Sequence, residues 1–311
     1  MKKHIFLLLS SILLCNSVLA ESPAPNKIIY LVSTPRSLST AFVRMMKARG
    51  DCEVFSEPSQ RAFHLVRYPK GVDNWFTKEG AATFKEVQER LNETLAQNHV
   101  FAKEMSFAVV DFLKEDHDFI KNEDVHFVFL VRKPHPVMVS LYLKYVELDE
   151  NCTLQNKSTL EEFEDTAGFP SLYEALNLIK AISPNPVTVL LTKDLCDNPY
   201  EAVQSLCERL EIPFLEASLH WEGGESGFAD GRKWHELKNP EQAKHWHGDA
   251  INSTGFGRPR SYTVDAVGQP LFSEAKSPED QALLQEIYAR SNAHYQAFLN
   301  EIPEGALIVT H

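Results

Sequence analysis

The chain has 311 residues, of which 43% are hydrophobic and 24% are charged, an ordinary balance for a globular protein with a sizeable core. Its formal net charge is −12, which becomes −14 (29 basic and 43 acidic residues) once Lys2 and Lys3 are removed with the N-terminal segment. Such an acidic chain excludes a general nucleic-acid-binding protein, although a few fixed basic residues can still form a local anion site.

Residues 1–20 have the pattern of a secretory signal peptide. Two lysines precede an apolar run, and a small-residue cleavage site ends at Ala20. We therefore expect export, with residues 21–27 as a polar linker and residues 28–311 as a single domain. The expected location is secreted or periplasmic, with a Golgi-like lumen as the alternative. No stable membrane insertion is expected after cleavage, because the apolar run is short for a membrane span.

The first strongly patterned stretch reads as a strand, a polar loop and the start of a helix. Ile28–Val32 is an apolar, β-branched run with the length of a buried strand, and Pro35 ends it. A helical pattern follows from Ser39, and Gly50 lies just past its end. This arrangement gathers backbone N–H groups and the positive end of a helix dipole around an anion. The sequence therefore predicts an anion-binding loop, with an ordinary capped turn as the alternative.

The side chains of this loop favour the same interpretation. Arg36 adds a permanent, planar charge, and Ser37, Ser39 and Thr40 add hydroxyl donors. The loop is not a Walker A motif, because the sequence contains no Gly-x4-Gly-Lys-Ser/Thr pattern.

The chain then alternates between predicted strands and helices. Strands are predicted at 52–55, 99–102, 126–131 and 186–191, and helices at 81–98, 108–114, 137–147, 171–182, 200–210 and 277–300. Residues 151–166 are predicted to be an irregular surface excursion and residues 220–262 to be loop-like. The alternation indicates parallel βαβ units. It predicts an α/β fold of three layers (α/β/α) with a central, mostly parallel sheet.

Four charged residues lie at or just past the ends of predicted strands: Arg36, Glu57, Lys103 and Arg132. In open parallel sheets, ligands bind outside the carboxyl ends of the strands. The sequence therefore predicts that these residues share one cleft.

Two of these stretches resemble the sulfotransferase superfamily that uses 3′-phosphoadenosine 5′-phosphosulfate (PAPS). There, a strand–loop–helix of the type Thr-Pro-Arg/Lys-Ser-Gly-Ser/Thr-Thr binds the 5′-phosphosulfate. A later strand that ends in Arg, with Ser eight positions on, binds the 3′-phosphate. Thr34–Thr40 is similar to the first pattern, and Arg132 with Ser140 has the spacing of the second. The resemblance is to bacterial P-loop-like members whose first loop reads Pro-Arg-Ser and whose second strand ends in Glu-Pro.

The resemblance implies an enzyme that moves a sulfuryl group from PAPS to a hydroxyl or amine on a small molecule, a glycan or a protein. Such a site positions donor and acceptor and stabilises charge on the leaving oxygen, as in phosphoryl transfer, but needs no metal. Arg36 would contact the 5′-phosphate and the leaving oxygen. Acceptor specificity would come from the regions of residues 61–76 and 151–169. The other implied donor contacts are Ser37, Ser39, Thr40, Arg132 and Ser140.

Glu57 is the candidate general base. It follows Arg36 by 21 residues, and its place at the end of a strand resembles that of the base glutamate of tyrosyl-protein sulfotransferases. The alternative is a Glu-Pro turn that simply ends the strand. Lys103 is a further catalytic candidate that would bind the sulfuryl group, or it is only a charged strand end. The segment with Ser253 and Gly255 resembles the one that closes over the donor in this superfamily.

Two observations favour a protein without catalysis. Leu38 stands where the superfamily has Gly, which permits a positive φ angle, and an exported protein has no obvious supply of PAPS. The alternative to the enzyme is therefore an exported, non-catalytic nucleotide- or partner-binding protein on the same scaffold. An ATP- or GTP-dependent phosphotransferase is disfavoured by the missing Walker lysine.

The sequence contains no convincing metal site. His245 and His247 lie one residue apart, but no third or fourth ligand is evident, so no metal is expected. The four cysteines beyond the predicted signal peptide permit two disulfides in an exported protein, and the spacing leaves their pairing open. These cysteines are Cys52, Cys152, Cys196 and Cys207.

Overall fold

The structure, a computed structural model, describes residues 25–70, 72–224, 240–257, 262–266 and 268–310, with the backbone alone at positions 73, 74, 240, 242 and 243. The predicted signal peptide lies outside the described residues, as do residues 21–24 of the predicted linker. Within the described residues, no helix is both long enough and apolar enough to span a membrane.

Five strands in the described part of the chain form one parallel sheet. They are β1 (Ile28–Ser33), β2 (Cys52–Ser56), β3 (His99–Met105), β4 (Val125–Val131) and β5 (Thr188–Leu191). Their order is β2–β3–β1–β4–β5, and every neighbouring pair is parallel. The chain therefore places β2 and β3 on one side of β1 and then β4 and β5 on the other. A crevice forms beyond the carboxyl end of β1, where the order reverses.

Helices cover both faces of the sheet. They are α1 (Ser39–Arg49), α2 (Gln60–Arg67), α3 (Val72–Trp75), α4 (Phe84–Leu95), α5 (Ser106–Glu115), α6 (His117–Lys121), α7 (Pro134–Leu148), α8 (Lys157–Ala167), α9 (Phe169–Ile182), α10 (Thr192–Asp197), α11 (Pro199–Leu210), α12 (Pro240–Ile251) and α13 (Pro278–Asn300), with a 3-10 helix at Glu216–Leu219. Side chains of β1 alternate between two cores: Tyr30 and Val32 pack into one, and Ile29 and Leu31 pack into the other. The predicted three-layer α/β fold is confirmed.

Two predicted irregular stretches contain helices, so those predictions were wrong. Residues 151–166 include most of α8, which begins after Asn156, whose Oδ1 accepts hydrogen bonds from the backbone N–H groups of Ser158 and Thr159. Among the few apolar side chains of α8, Phe163 and Ala167 are buried four residues apart. Residues 220–262 include α12. Both helices are mostly polar, so their hydrophobic pattern is weak.

The end of the predicted linker packs against the domain. Lys27 is buried, and its Nζ donates to the carbonyl oxygen of Leu210 and to Glu211 Oε2, at 2.8 Å in each case. The Asn26 side chain donates to the carbonyl oxygen of Leu95 (2.9 Å). The packed structure therefore begins before β1.

The four cysteines beyond the predicted signal peptide are free thiols in the structure. Cys196 and Cys207, which the sequence allowed to be either bridged or buried, are both buried. Burial raises the pKa of Cys196 to about 11, an effect that Arg132 opposes. These thiols are therefore protonated and unreactive at neutral pH.

Candidate functional site

A cavity of 740 Å³ opens at the carboxyl edge of the sheet. Arg36 from the β1–α1 loop, Glu57 from the end of β2 and Arg132 from the end of β4 all line it, as does Ser140 of α7. Its size is within the range of ligand-binding sites. Three of the four charged residues that the sequence placed in one cleft therefore share this cavity, and the fourth, Lys103, lies behind it.

The β1–α1 loop has two left-handed residues, Arg36 (φ 58°) and Leu38 (φ 68°). Most L-residues avoid this conformation. Leu38 therefore adopts the left-handed backbone conformation that glycine adopts most readily. Left-handed residues in turns of this kind help to point successive N–H groups at an anion.

The N-terminus of α1 faces the cavity through Ser39 and Thr40. Within this fully described helix, the first turn carries no acidic side chain, and Leu38 at the cap position makes no side-chain bond to it. The first N–H groups of a helix have no intrahelical partner. They and the helix dipole favour an anion at this end of the cavity.

The predicted hydroxyl donors of the loop differ in their placement. Ser39 and Thr40 line the cavity, and Thr40 Oγ1 lies 3.2 Å from His247 Nδ1. Ser37 is fully buried, and its hydroxyl donates to the carbonyl oxygen of Thr34 (2.7 Å). Its side chain therefore stabilises the turn and is not directed at a ligand, contrary to the sequence prediction.

Arg36 joins the loop to two helices. Its Nε donates to Ser140 Oγ (2.8 Å) on α7, and its Nη1 donates to the carbonyl oxygen of Trp246 (2.8 Å) on α12. Its Nη2 lies 3.8 Å from Asp249 Oδ2. The predicted donor-contacting residues Arg36 and Ser140 are thus in direct contact with each other.

Arg132 supports the same loop from the end of β4. Its Nη1 donates to the carbonyl oxygen of Arg36 (2.6 Å). Burial lowers the pKa of Arg132, and the nearby positive charge of Arg36 lowers it further. Two arginine charges therefore face the same part of the cavity.

The second strand–loop–helix unit differs from the first in its backbone donors. Helix α7 begins with Pro134, and Pro136 is its third residue. Proline has no N–H group, so two of the first three positions of α7 donate no backbone hydrogen bond. This unit therefore contributes to the cavity mainly through the side chains of Arg132 and Ser140.

Glu57 lies in the turn after β2, with a left-handed backbone (φ 57°). Its backbone N–H donates to the carbonyl oxygen of Lys103 (2.6 Å), and its carboxylate accepts a hydrogen bond from Lys103 Nζ. The Lys103 side chain is fully buried and is not among the residues that line the cavity. Lys103 therefore orients Glu57, and it does not occupy the position of a sulfuryl-binding group that the sequence allowed.

Glu104, which sequence reasoning did not single out, lies behind Glu57. It is fully buried, and its Oε1 accepts a hydrogen bond from the backbone N–H of Ser59 (2.9 Å). Burial raises the pKa of Glu104 to about 8; the charge of Glu57 adds to this shift, and Ser59 and Lys103 oppose it. Glu104 is therefore mostly protonated at neutral pH.

The predicted donor-closing segment reaches the cavity at Ser253 and Gly255. The Ser253 hydroxyl donates to the carbonyl oxygen of Ala250 (2.7 Å) and accepts from Trp221 Nε1 (3.2 Å). A Cβ atom at Gly255 would lie 3.2 Å from the carbonyl oxygen of Leu219, so this position favours Gly. The segment is held in place by a hydrogen bond to the end of α12 and by bonds from Trp221, whose backbone N–H also donates to the carbonyl oxygen of Thr254 (3.2 Å).

The two predicted loop histidines point in different directions. His247 lines the cavity, whereas His245 donates from Nε2 to the carbonyl oxygen of Lys144 (3.1 Å) and does not line it. Across the described ranges, no three His, Cys, Asp or Glu side chains come close enough to hold a metal ion.

His64 of α2 lines the cavity and lies within residues 61–76, the region to which the sequence assigned acceptor specificity, although His64 itself was not singled out. Its Nδ1 donates to the carbonyl oxygen of Gln60 (2.8 Å). Burial lowers the pKa of His64, although the Gln60 bond and the charges of Glu162 and Glu57 oppose the shift. His64 is therefore a neutral aromatic ring at neutral pH.

No protein-family model matches this chain. Among curated proteins, the chain is similar to the branched-chain-amino-acid aminotransferase-like proteins 2 and 1 of Arabidopsis thaliana, with 26% identity over 249 residues and 24% over 244 residues. The alignments cover 76% and 77% of this chain but 37% and 38% of those proteins. The chain thus spans less than two fifths of the length of these relatives.

Among solved structures, the chain is similar to the sulfotransferase domain from the curacin biosynthetic pathway, with 17% identity and a TM-score of 0.47 over 85% of this chain and 97% of that one. It is also similar to a sulfotransferase from Alicyclobacillus acidocaldarius, with 12% identity and a TM-score of 0.48 over 90% of this chain and 98% of that one. At these TM-scores, a function has to be supported by the residues of the cavity themselves.

Proposed function

We propose that the protein transfers a sulfuryl group from PAPS to a hydroxyl or amine acceptor. One observation carries the proposal: the uncapped N-terminus of α1, Arg36 and Arg132 meet in one cavity with Glu57. The first three are suited to a phosphate-rich donor, and Glu57 is suited to removing a proton from an acceptor. The motif spacing of Arg132 and Ser140 supports PAPS over other nucleotides.

The donor would bind on the side of β1 and β4. The N–H groups at the start of α1 and the hydroxyls of Ser39 and Thr40 would hold the 5′-phosphosulfate. Arg132 and Ser140 would hold the 3′-phosphate. Arg36 would turn from its present partners toward the donor, where its fixed charge stabilises the leaving oxygen.

The acceptor would approach from the side of Glu57. A carboxylate oriented by Lys103 is placed to take the proton of an acceptor hydroxyl. A bond then forms between the acceptor oxygen and sulfur while the bond from sulfur to the 5′-phosphate oxygen breaks. The proton goes to Glu57, and the electron pair goes to adenosine 3′,5′-bisphosphate.

Thermal unfolding tests the donor assignment. A ligand that binds only the native state raises the melting temperature. Adenosine 3′,5′-bisphosphate should stabilise the protein, and ATP should stabilise it much less because ATP lacks the 3′-phosphate. Equal stabilisation by the two nucleotides would contradict the donor assignment.

An exported nucleotide- or partner-binding protein without turnover is the second candidate. The contacts of Arg36 with Ser140, Trp246 and Asp249 favour it, since they occupy the guanidinium that catalysis needs. Binding of the bisphosphate without any transfer from PAPS to a panel of hydroxyl and amine acceptors would support this second candidate.

A further inference from the structure

Beyond Glu57, the cavity continues between two helical walls. One wall is formed by α2 and α3 and the other by α7 and α8, and aromatic side chains line both. We call this part of the cavity the aromatic slot; its rings are Phe63, His64, Tyr68, Trp75 and Phe76 on the first wall and Tyr145 on the second.

The rings of the first wall are packed against one another. The centroid of His64 lies 4.8 Å from that of Phe76 and 5.4 Å from that of Phe63. Such contacts hold aromatic side chains in fixed orientations. The ion pair between Arg67 on α2 and Asp165 on α8 (2.8 Å) links the two walls. The rings of the first wall therefore form one packed aromatic surface.

The rim of the slot exposes apolar surface. Tyr68, Trp75 and Leu148 are 39%, 43% and 47% exposed, and all three line the cavity. In the described part of the chain, seven large apolar side chains are exposed, so nearly half of them surround this one opening. Clustered exposed apolar side chains at a cavity indicate an apolar ligand.

Three acidic side chains that line this part of the cavity are engaged with protein partners. Asp165 pairs with Arg67, Glu147 pairs with Lys144 (2.6 Å), and Glu162 accepts a hydrogen bond from Tyr145 Oη (3.2 Å). A cationic amine would have to compete with these partners. A sugar would place its hydroxyls against aromatic side chains that offer few hydrogen bonds.

We propose that the aromatic slot binds the acceptor and that this acceptor is a small, planar aromatic alcohol. Its ring lies between the walls of α2–α3 and α7–α8, and its hydroxyl points toward Glu57. The inference rests on the proposed sulfuryl transfer, because it names the acceptor class of the same cavity.

The test uses 2-naphthol as the probe, titrated calorimetrically into the full chain without nucleotide. We expect saturable binding at least tenfold tighter than that of methyl glucoside or of decahydro-2-naphthol, which has a similar size but is not planar. Tyr68→Ala and Trp75→Ala should each weaken binding about 3- to 10-fold, the range of a single aromatic contact. Both side chains are exposed, so the variants should keep the melting temperature of the parent protein.

Tyr200→Ala is the matched control, because Tyr200 is 47% exposed, packs on Phe214 and lies outside this cavity. It should leave naphthol affinity within twofold. Absence of naphthol binding, equal binding of the glucoside, or an equal loss in Tyr200→Ala would overturn the proposal.

A second titration separates this inference from the donor assignment. If adenosine 3′,5′-bisphosphate and 2-naphthol bind together, the slot and the donor site are distinct, as proposed. Displacement of naphthol by the bisphosphate would show that the slot holds the adenine ring, and the inference fails. Naphthol binding without bisphosphate binding would leave the slot intact while the proposed sulfuryl transfer fails.

Discussion

The carboxyl edge of the sheet has a basic half and an acidic half. The basic half lies at the ends of β1 and β4, where Arg36 and Arg132 line the cavity. The acidic half lies at the ends of β2 and β3, where Glu57 accepts a hydrogen bond from Lys103 and Glu104 follows Lys103 in β3. The two halves adjoin because β1 pairs with β3.

The two halves differ in how their charges are compensated. In the acidic half, the buried Lys103 donates a hydrogen bond to Glu57, and Glu104 is mostly protonated at neutral pH. In the basic half, two guanidinium groups face each other, and Arg36 lowers the pKa of Arg132. Asp249 Oδ2 lies 3.8 Å from Arg36 Nη2, and the Asp249 side chain is 83% exposed. The difference indicates an anion site beside a nearly neutral acid–base site.

The largest effect is expected from a substitution in the acidic half. Glu57→Gln preserves size but removes the proton acceptor, so turnover should fall by roughly 10²–10⁴-fold, the range typical of a positioned acid–base group. Affinity for adenosine 3′,5′-bisphosphate should stay nearly unchanged. Steady-state kinetics with a confirmed acceptor measures the first quantity, and calorimetry measures the second.

Glu174→Gln is the control for Glu57→Gln, because Glu174 also pairs with a lysine, Lys114 (2.8 Å), but lies outside the cavity. Full activity of Glu57→Gln would assign the proton transfer to another group, such as His247.

The pH dependence of stability tests the state of Glu104. Its folded pKa of about 8 exceeds the ordinary value, so folding favours the protonated form. That stabilisation is fully present below about pH 4, the range of an unfolded glutamate, and is lost as the pH rises to about 8. Over this window the loss should be a few kcal/mol, since each pKa unit corresponds to about 1.4 kcal/mol.

Glu104→Gln has no proton to lose, so its advantage in melting temperature over the parent protein should grow between pH 5 and pH 8. A constant difference between the two proteins across that range would show that Glu104 is ionised in the folded state.

Arg132→Ala removes one of the two arginine charges of the basic half. A charge-assisted hydrogen bond is worth about 1.5–3 kcal/mol, so affinity for adenosine 3′,5′-bisphosphate should fall about 10- to 150-fold. Affinity for ATP should change much less, and the preference between the two nucleotides should largely disappear. Competition calorimetry with both nucleotides measures this preference.

Arg209→Ala provides the matched control for Arg132→Ala. Arg209 also donates to a backbone carbonyl, that of Ala306 (2.6 Å), and burial lowers its pKa too, but it lies outside the cavity. If both variants lose the same affinity, the effect of Arg132 is structural and the 3′-phosphate contact is wrong.

The sequence predicted the basic half better than the acidic half, for a physical reason. The strand–loop–helix units of β1 and β4 are encoded locally by apolar runs, prolines and a helix-ending Gly50, and their arginines follow the strands directly. The state of Glu104 depends on Ser59, which lies 45 positions away along the chain. Burial of that kind arises only from packing.

The orientation of individual side chains was likewise beyond the sequence pattern. The sequence predicts that the Ser37 hydroxyl donates to a ligand, but in the structure it donates to the carbonyl oxygen of Thr34. The sequence named both regions that form most of the slot walls, residues 61–76 and 151–169, as the source of acceptor specificity. It did not predict helix α8, because α8 is polar apart from a few residues and its hydrophobic period is weak. Aromatic residues in the α2 and α3 regions gave the available signal, although their meeting with α7 is a property of the fold.

The smallest expected effect concerns the left-handed loop of the basic half. Leu38 carries a conformation that costs an ordinary L-residue roughly 1–2 kcal/mol and Gly almost nothing. Leu38→Gly should therefore keep nucleotide binding and change the free energy of unfolding by no more than about 1 kcal/mol, because the flexible unfolded chain offsets part of the relief. Leu38→Val should weaken binding, since a β-branched side chain fits this conformation poorly.

The reverse substitution at Gly50 (φ 75°), where an added Cβ meets nothing within 4 Å, measures the backbone cost alone. Gly50→Ala should destabilise by about 1 kcal/mol without altering bisphosphate affinity. Denaturant unfolding and calorimetry on the three variants measure both quantities. Loss of bisphosphate binding in Leu38→Gly would show that the Leu38 side chain, and not the loop conformation, holds the anion site together.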